Sequence, residues 1–261
     1  MQKQLYRLFI ELTNKRWSSR LLETFTCSSL SKPMIRSFIR AYKINEKEME
    51  YPAEDYQTLH DFFMRRLAPE ARKIQYGADH VVSPVDARLE EAGTITPSRD
   101  IVVKGKPYAV AEMLGSEDKA RAYDGGVFLV LYLSPAHYHR IHSPVDAAVI
   151  DRWILGRYSY PVHSYGLKYG RAPLSKNYRD ITELQHFCGR MAVVKVGAMF
   201  VNAVERTHEN QVWKQGEEVA YFNFGSTVVL LFEKGTFALD QRLTLPCEVK
   251  VGEKIGLLLK Q

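Results

Sequence analysis

The chain has 261 residues and a mass of 30.0 kDa, enough for one large domain or two small ones around a full hydrophobic core. Its 46% hydrophobic and 25% charged residues, with only 16 Gly and 11 Pro, exclude a disordered or fibrous chain. Cys27, Cys188 and Cys247 are odd in number, far apart and in no Cys-x-x-Cys pair, which excludes a disulfide scaffold and a Cys-rich zinc site and fits a reducing compartment. The longest apolar runs, Val127 to Leu133 and Val228 to Phe232, fall far short of the ~20 residues needed to cross a bilayer. No uninterrupted apolar core opens the chain as it would a secretory signal.

In chain order, the first feature is charge. Residues 1–43 carry Lys3, Arg7, Lys15, Arg16, Arg20, Lys32, Arg36, Arg40 and Lys43 against Glu11 and Glu23, a net +7, while the whole chain sums to +6. Such asymmetry predicts a polyanionic partner, nucleic acid or an anionic membrane. Leu5, Leu8, Phe9 and Leu12 follow the period of one helical face, and Met34, Ile35, Phe38, Ile39 and Tyr42 repeat it after Ser31 and Pro33. A basic amphipathic helix suits a lipid interface, although the same faces could pack on a protein core. A further helix is expected from about Leu59 to Leu67, capped by Thr58 and closed by Pro69.

From about Val81 the character changes to short Val-rich or aromatic segments between turns. Val127 to Leu133, Met191 to Val196 and Val228 to Phe232 read as strands of a mostly β body. The polar, Tyr-rich stretch from about Arg157 to Arg179 reads as a long functional or covering loop. Ser83-Pro84-Val85-Asp86-Ala87 recurs at Ser143-Pro144-Val145-Asp146-Ala147, and Lys214-x-Gly216-Glu217-x-Val219 recurs as Lys250-x-Gly252-Glu253-x-Ile255. Two echoes in one chain predict a β unit used more than once. The expected fold class is α+β: residues 1–75 form a basic, membrane-associating helical region on a mostly antiparallel β body, residues 76–261, whose hairpins resemble the barrel-sandwich hairpins of lipoyl and biotinyl domains.

Titratable groups concentrate in His137-Tyr138-His139-Arg140-Ile141-His142. In an extended segment His137 and His139 share a face and His142 does not, so separate roles in proton transfer suit these residues better than a shared metal ion. Gly225-Ser226-Thr227 leads into an apolar strand, and Ser226 could serve as a nucleophile with His142 as base and Asp86 as the carboxylate that fixes its tautomer. The Gly-x-Ser-x-Gly elbow of hydrolases is absent.

These stretches together, with Val196-Gly197-Ala198, Phe62-Phe63-x-Arg65-x-Leu67-x-Pro69 and Lys104-Gly105-Lys106-Pro107-Tyr108, resemble the phosphatidylserine decarboxylases, pyruvoyl-dependent enzymes of phospholipid synthesis, over nearly the whole chain. The family's cleavage motif most often reads Leu-Gly-Ser-Thr, and Phe224 here takes the Leu position. The resemblance implies self-cleavage between Gly225 and Ser226 into chains 1–225 and 226–261, driven by His142 and Asp86, with Asp146 left as a turn residue. It implies that Ser226 becomes a pyruvoyl group able to form a Schiff base with the serine headgroup, that no pyridoxal phosphate or metal is used, and that His139 handles protons as carbon dioxide leaves. The product would be phosphatidylethanolamine. The implied setting is peripheral, on the cytoplasmic face of the cell membrane. The implied partners are phosphatidylserine, the anionic surface, the two cleavage chains for each other and a second copy in a homodimer, but no nucleic acid. Two alternatives stay open on the residues alone: a single-chain serine hydrolase using Asp86, His142 and Ser226, and a non-enzymatic peripheral membrane adaptor.

Overall fold

The computed structural model describes residues 24–170, 172–198, 204–223 and 226–260. The amphipathic face of Leu5, Leu8, Phe9 and Leu12, the basic residues before position 24, and Gly225 lie outside the described residues.

The N-terminal region is helical, as its periodicity requires. Helix α1 (Met34–Tyr42) starts directly after Pro33 and turns Ile35 and Ile39 onto a small core of Met49, Ala53, Leu59 and Phe62. Met34 and Tyr42 remain exposed, so the apolar stripe is split between core and solvent. Helix α2 (Leu59–Phe63) begins where expected, with the Thr58 hydroxyl accepting the Asp61 N–H at 3.0 Å. It ends about four residues before the expected Leu67. Glu50 donates to the Arg66 carbonyl and Ala68 to the Glu48 carbonyl, so the chain pairs in extended form there instead of continuing the helix.

The β body begins with β1 (His80–Val82), β2 (Ala87–Thr94), and the hairpin β3 (Asp100–Val103) and β4 (Lys106–Ala109). Two short helices, α3 (Val110–Leu114) and α4 (Glu117–Arg121), lead to β5 (Val127–Leu133), β6 (Arg140–His142) and β7 (Ala147–Leu155). The stretch expected to be a covering loop contains α5 (Ser164–Tyr169) and α6 (Pro173–Lys176). The remaining strands are β8 (Arg179–His186), β9 (Gly189–Gly197), β10 (Val204–Arg206), β11 (Val212–Trp213), β12 (Glu218–Phe222), β13 (Ser226–Phe232), β14 (Phe237–Leu239), β15 (Cys247–Val249) and β16 (Lys254–Leu258).

Eight strands form one antiparallel sheet in the order β11-β7-β8-β9-β13-β5-β2-β15. Every residue of β13 is buried, because this central strand is covered on both faces. Its side chains alternate between two cores. Val228, Leu230 and Phe232 face the two three-stranded sheets, β1-β16-β14 and β10-β12-β6, whereas Val229 and Leu231 face the helices α3 to α6 and the β3-β4 hairpin. The architecture is α+β and mostly antiparallel, with no closed barrel among the described strands.

The sequence echoes are structural repeats. Ser83 Oγ donates to the Val85 carbonyl and Ser143 Oγ to the Val145 carbonyl, at 2.6 and 2.7 Å. Asp86 Oδ1 accepts the Val251 N–H and Asp146 Oδ1 the Gln215 N–H, at 2.9 and 2.8 Å. Gly252 and Gly216 take positive φ of 82° and 81°, and each donates its N–H to the carbonyl of the facing serine, Ser83 or Ser143. Ile74 packs against both glycines, where a Cβ would meet it at 2.5 and 2.8 Å. Val82 donates to Pro144 and His142 to Pro84, so the two units clasp each other reciprocally.

Candidate active site

Ser226 is the first residue of β13, in register with Leu133 of β5 and Gly197 of β9. Strand alternation puts its side chain on the face of Val228 and Leu230, toward the core containing Ile141 and Phe222. It is wholly buried, and its hydroxyl has no hydrogen-bond partner among the described residues. An orphaned buried hydroxyl costs about 1–3 kcal/mol, which marks the position as one kept for something other than stability.

The histidine strand is brought alongside by pairing. β6 pairs with β12, and the Phe222 N–H donates to the His139 carbonyl at 3.0 Å, just before the chain reaches position 226. His142 Nδ1 lies 2.8 Å from the Gly216 carbonyl and must donate to it, which leaves Nε2 bare and 3.4 Å from the Tyr138 hydroxyl. Burial holds the His142 imidazole below its ordinary pKa, so it is neutral at pH 7.

His139 is set up in the same tautomer but deeper. Its Nδ1 donates to the His137 carbonyl at 2.9 Å, its Nε2 has no partner among the described residues, and the Phe63 ring lies against it with centroids 4.0 Å apart. Burial, reinforced by the Arg65 cation, pushes its pKa well down. Arg65 is itself buried and donates to the Ala136 and His137 carbonyls at 3.0 and 3.2 Å, fixing the turn from which His139 hangs. His137 has the opposite tautomer: the Ser134 N–H donates to its Nδ1 at 3.0 Å and its Nε2 faces Glu248 at 3.1 Å.

Asp86 sits beside this strand, since the His142 N–H donates to the Pro84 carbonyl at 2.8 Å, and its charge raises the proton affinity of His142. Its carboxylate is held by the Arg72 guanidinium at both oxygens, with Nε to Oδ1 at 2.8 Å, and by the Val251 N–H. The structure therefore gathers Asp86, His142 and His139 onto adjoining turns and strands. Among the described residues, no hydrogen bond joins Asp86 to His142 or His142 to Ser226. The group that fixes the His142 tautomer is the Gly216 carbonyl, a backbone atom that no residue-type search would select. Arg72, Tyr138, Phe63 and Arg65 also went unassigned from sequence, although the Phe62-Phe63-x-Arg65 stretch pointed at the last two. Among the described residues no group of three His, Cys, Asp or Glu side chains gathers as a metal site.

A family model described as phosphatidylserine decarboxylase matches residues 59–257. Relatives named phosphatidylserine decarboxylase proenzyme are 55% identical in Geobacillus kaustophilus, over 98% of this chain and 97% of the relative, and 54% identical in Anoxybacillus flavithermus, over 100% and 98%. One of the same name in Bacillus mycoides is 50% identical over 98% of each chain. The chain is thus an enzyme of the decarboxylase class. It belongs to the phosphatidylserine decarboxylase family, whose match takes in α2, Arg65, both histidines and Ser226.

Proposed function

We propose that the chain converts phosphatidylserine to phosphatidylethanolamine at a membrane surface, using a pyruvoyl group that it makes from its own Ser226. The observation that carries this reading is the buried, unpartnered Ser226 hydroxyl at the start of the central strand. A hydrolase acting on an external ester needs its nucleophile at solvent. In the uncut chain this enclosed hydroxyl meets first its own peptide bond to Gly225, the nearest by connectivity; the cut then makes residue 226 a chain end that an external amine has to reach.

The bare Nε2 of His142 is the group fitted to take the Ser226 proton. Oγ then bonds to the Gly225 carbonyl carbon, the C–N bond breaks, and the proton passes to the released nitrogen. Loss of the α-proton and cleavage of the Cβ–Oγ bond free chain 1–225 as a carboxylate, and water displaces ammonia to leave a ketone on residue 226. The surroundings fit that group: position 226 lies between Leu133 and Gly197, beside an apolar core. The pyruvoyl group supplies an electron sink for the pair left when carbon dioxide departs. His139, neutral and with Nε2 bare, handles the proton at that carbon. Asp86 acts on His142 through its charge, and Arg72 keeps that charge in place.

Chain 226–261 stays with chain 1–225 after cleavage, because β13 is laddered on both sides, to β5 and β9, and β15 and β16 pair with β2 and β1. The membrane reading rests on charge and exposed apolar side chains together. Leu30, Met34 and Tyr42 are exposed near Lys32, Arg36, Arg40 and Lys43, and α2, in the same small helical core, supplies the ring that packs on His139. No described helix is long and apolar enough to cross a membrane. Basic residues near an anionic surface contribute about 1 kcal/mol each, so binding to phosphatidylglycerol vesicles should be lost as salt rises, and earlier when Arg7, Lys15, Arg16 and Arg20 are neutralised. Cosedimentation that ignores both salt and these substitutions would remove the membrane reading.

The denatured mass of the purified protein tests the chemistry. A fragment of residues 226–261 lighter than the Ser-started peptide by one ammonia is expected, with Ser226→Ala remaining a single chain. One uncut wild-type chain after long incubation with membranes would leave no pyruvoyl enzyme.

A further inference from the structure

A cavity of about 620 Å³ opens between the end of β7 and helix α6, with Arg157, Lys176, Arg179 and Ser175 in its wall. Arg179 is buried, yet its guanidinium meets only carbonyls: Nε donates to Met113, Nη1 to Asn177 and Nη2 to Glu112, at 2.7, 2.9 and 2.8 Å. Five N–H groups are available, so two remain unspent, and among the described residues the charge has no salt-bridge partner. The Ser175 hydroxyl, 3% exposed as a residue, lines the same cavity and has no hydrogen-bond partner among the described residues. Arg157 leans on the Tyr158 ring at 5.6 Å, and neither it nor Lys176 has an ion-pair partner among the described residues. Against three cations the wall carries one carboxylate, Glu112. A buried cation without a counter-ion, an orphaned hydroxyl and two further cations make a receptor for a multidentate anion.

The cavity's place in the sheet selects the anion. Arg179 is in register with Val196, whose neighbour Gly197 is in register with Ser226. The first residue of β13 and the cavity thus lie at one end of the sheet, two strand spacings or roughly 10 Å apart. Ser226 points to the other face, but a molecule joined to the α-carbon of a strand's first residue extends past the sheet end and does not have to pass through it. In an extended phosphoserine headgroup, phosphorus lies roughly 5 Å from nitrogen at ~1.5 Å per bond, and the arginine and lysine side chains span the rest.

Resting on the decarboxylase reading above, we propose that this cavity binds the phosphodiester of the lipid substrate whose amine is held at position 226. Arg179 and Ser175 form its fixed floor, Arg157 and Lys176 its mobile cations, and Glu112 weakens the binding and speeds release.

The test uses the processed protein with a short-chain phosphatidylserine kept below its micelle concentration, so that membrane affinity does not enter. The Arg157→Ala/Lys176→Ala variant, altered only at exposed positions, should raise KM roughly tenfold with kcat within about twofold. Calorimetric binding of inorganic phosphate should weaken by a similar factor, and Glu112→Gln should lower KM. An unchanged KM in the double variant overturns the proposal. So does weaker phosphate binding with unchanged KM, which would make the cavity a site for free phosphate. Wild-type turnover in the same assay separates the two levels: no carbon dioxide release refutes the decarboxylase reading, whereas turnover with an unshifted KM refutes only the cavity's role.

Discussion

His142 and His139 each spend Nδ1 on a backbone carbonyl and keep Nε2 without a proton, so the tautomer of both bases is set by main-chain atoms and not by a carboxylate. The same burial that makes them neutral also makes the fold sensitive to acid. Burial lowers the pKa of both, and that of His186 to about 4. In the unfolded chain these imidazoles titrate near pH 6.5, so their contribution to stability is whole above about 6.5 and falls as pH drops through the interval down to the folded values. Thermal unfolding of the uncut Ser226→Ala chain, followed by calorimetry from about pH 7.5 to 5, should give a falling Tm with proton uptake on unfolding. A flat Tm over that interval would mean that the histidines are not held neutral. Self-cleavage should keep its rate to more acidic pH than an ordinary imidazole allows, because a base with a lowered pKa stays unprotonated there.

Between residue and fold lies the segment that ties the Tyr-rich stretch to the sheet. Asn177 is fully buried and uses its whole side-chain amide: Oδ1 accepts the Tyr160 N–H at 2.9 Å, and Nδ2 donates to the Tyr160 and Gly197 carbonyls, both at 2.8 Å. It therefore fastens this segment to the strand end opposite Ser226. Asn177→Ala should cost about 2–4 kcal/mol, since it removes all three hydrogen bonds of this buried amide. It should also expose the Tyr160 amide to hydrogen exchange. Normal protection at Tyr160 would show that the amide is not the clamp. From sequence this stretch reads only as a loop, because α5 and α6, of six and four residues, are too short to show an amphipathic period and are held by contacts from distant strands. The Val-rich strands were legible, because a strand buried on both faces is apolar over most of its length, and β13 is so from Val228 to Phe232. Helix α2 was legible at its start, where Thr58 caps it. Its end was not, because the pairing with residues 48–50 that stops it is non-local. Of the site, the residue types Asp86, His139, His142 and Ser226 could be selected in advance. Arg72 on Asp86 and the Gly216 carbonyl on His142 could not, since the first gives no local pattern and the second is main chain.

At the scale of the whole molecule, the eight-stranded sheet reads as two four-strand units, β15-β2-β5-β13 and β9-β8-β7-β11, joined between β13 and β9 about the Val229 and Val194 pair. Each unit has a small sheet at its edge, β1-β16-β14 or β6-β12-β10, and a Ser-Pro-Val-Asp turn answered by a Lys-x-Gly-Glu turn. A duplicated scaffold carries its chemistry where the copies differ. His142 occupies the position that Val82 holds in the other unit, and Asp86 has acquired Arg72, whereas among the described residues Asp146 makes the Gln215 bond alone. The second copy is thus an internal control for the first. Asp146→Asn and Asp86→Asn both keep an oxygen to accept the facing N–H, at Gln215 or Val251, so the turns should survive in both. Only Asp86→Asn removes the negative charge that supports His142 as it takes a proton, and it also weakens the grip of Arg72, which retains Glu48 at 2.9 Å. Self-cleavage, followed by appearance of chain 226–261 on denaturing gels, should slow by at least ~100-fold in Asp86→Asn and by less than about twofold in Asp146→Asn. Equal slowing in both would mean that Asp86 acts as a turn residue like its counterpart. Fast cleavage in both would leave His142 working from the Gly216 carbonyl alone.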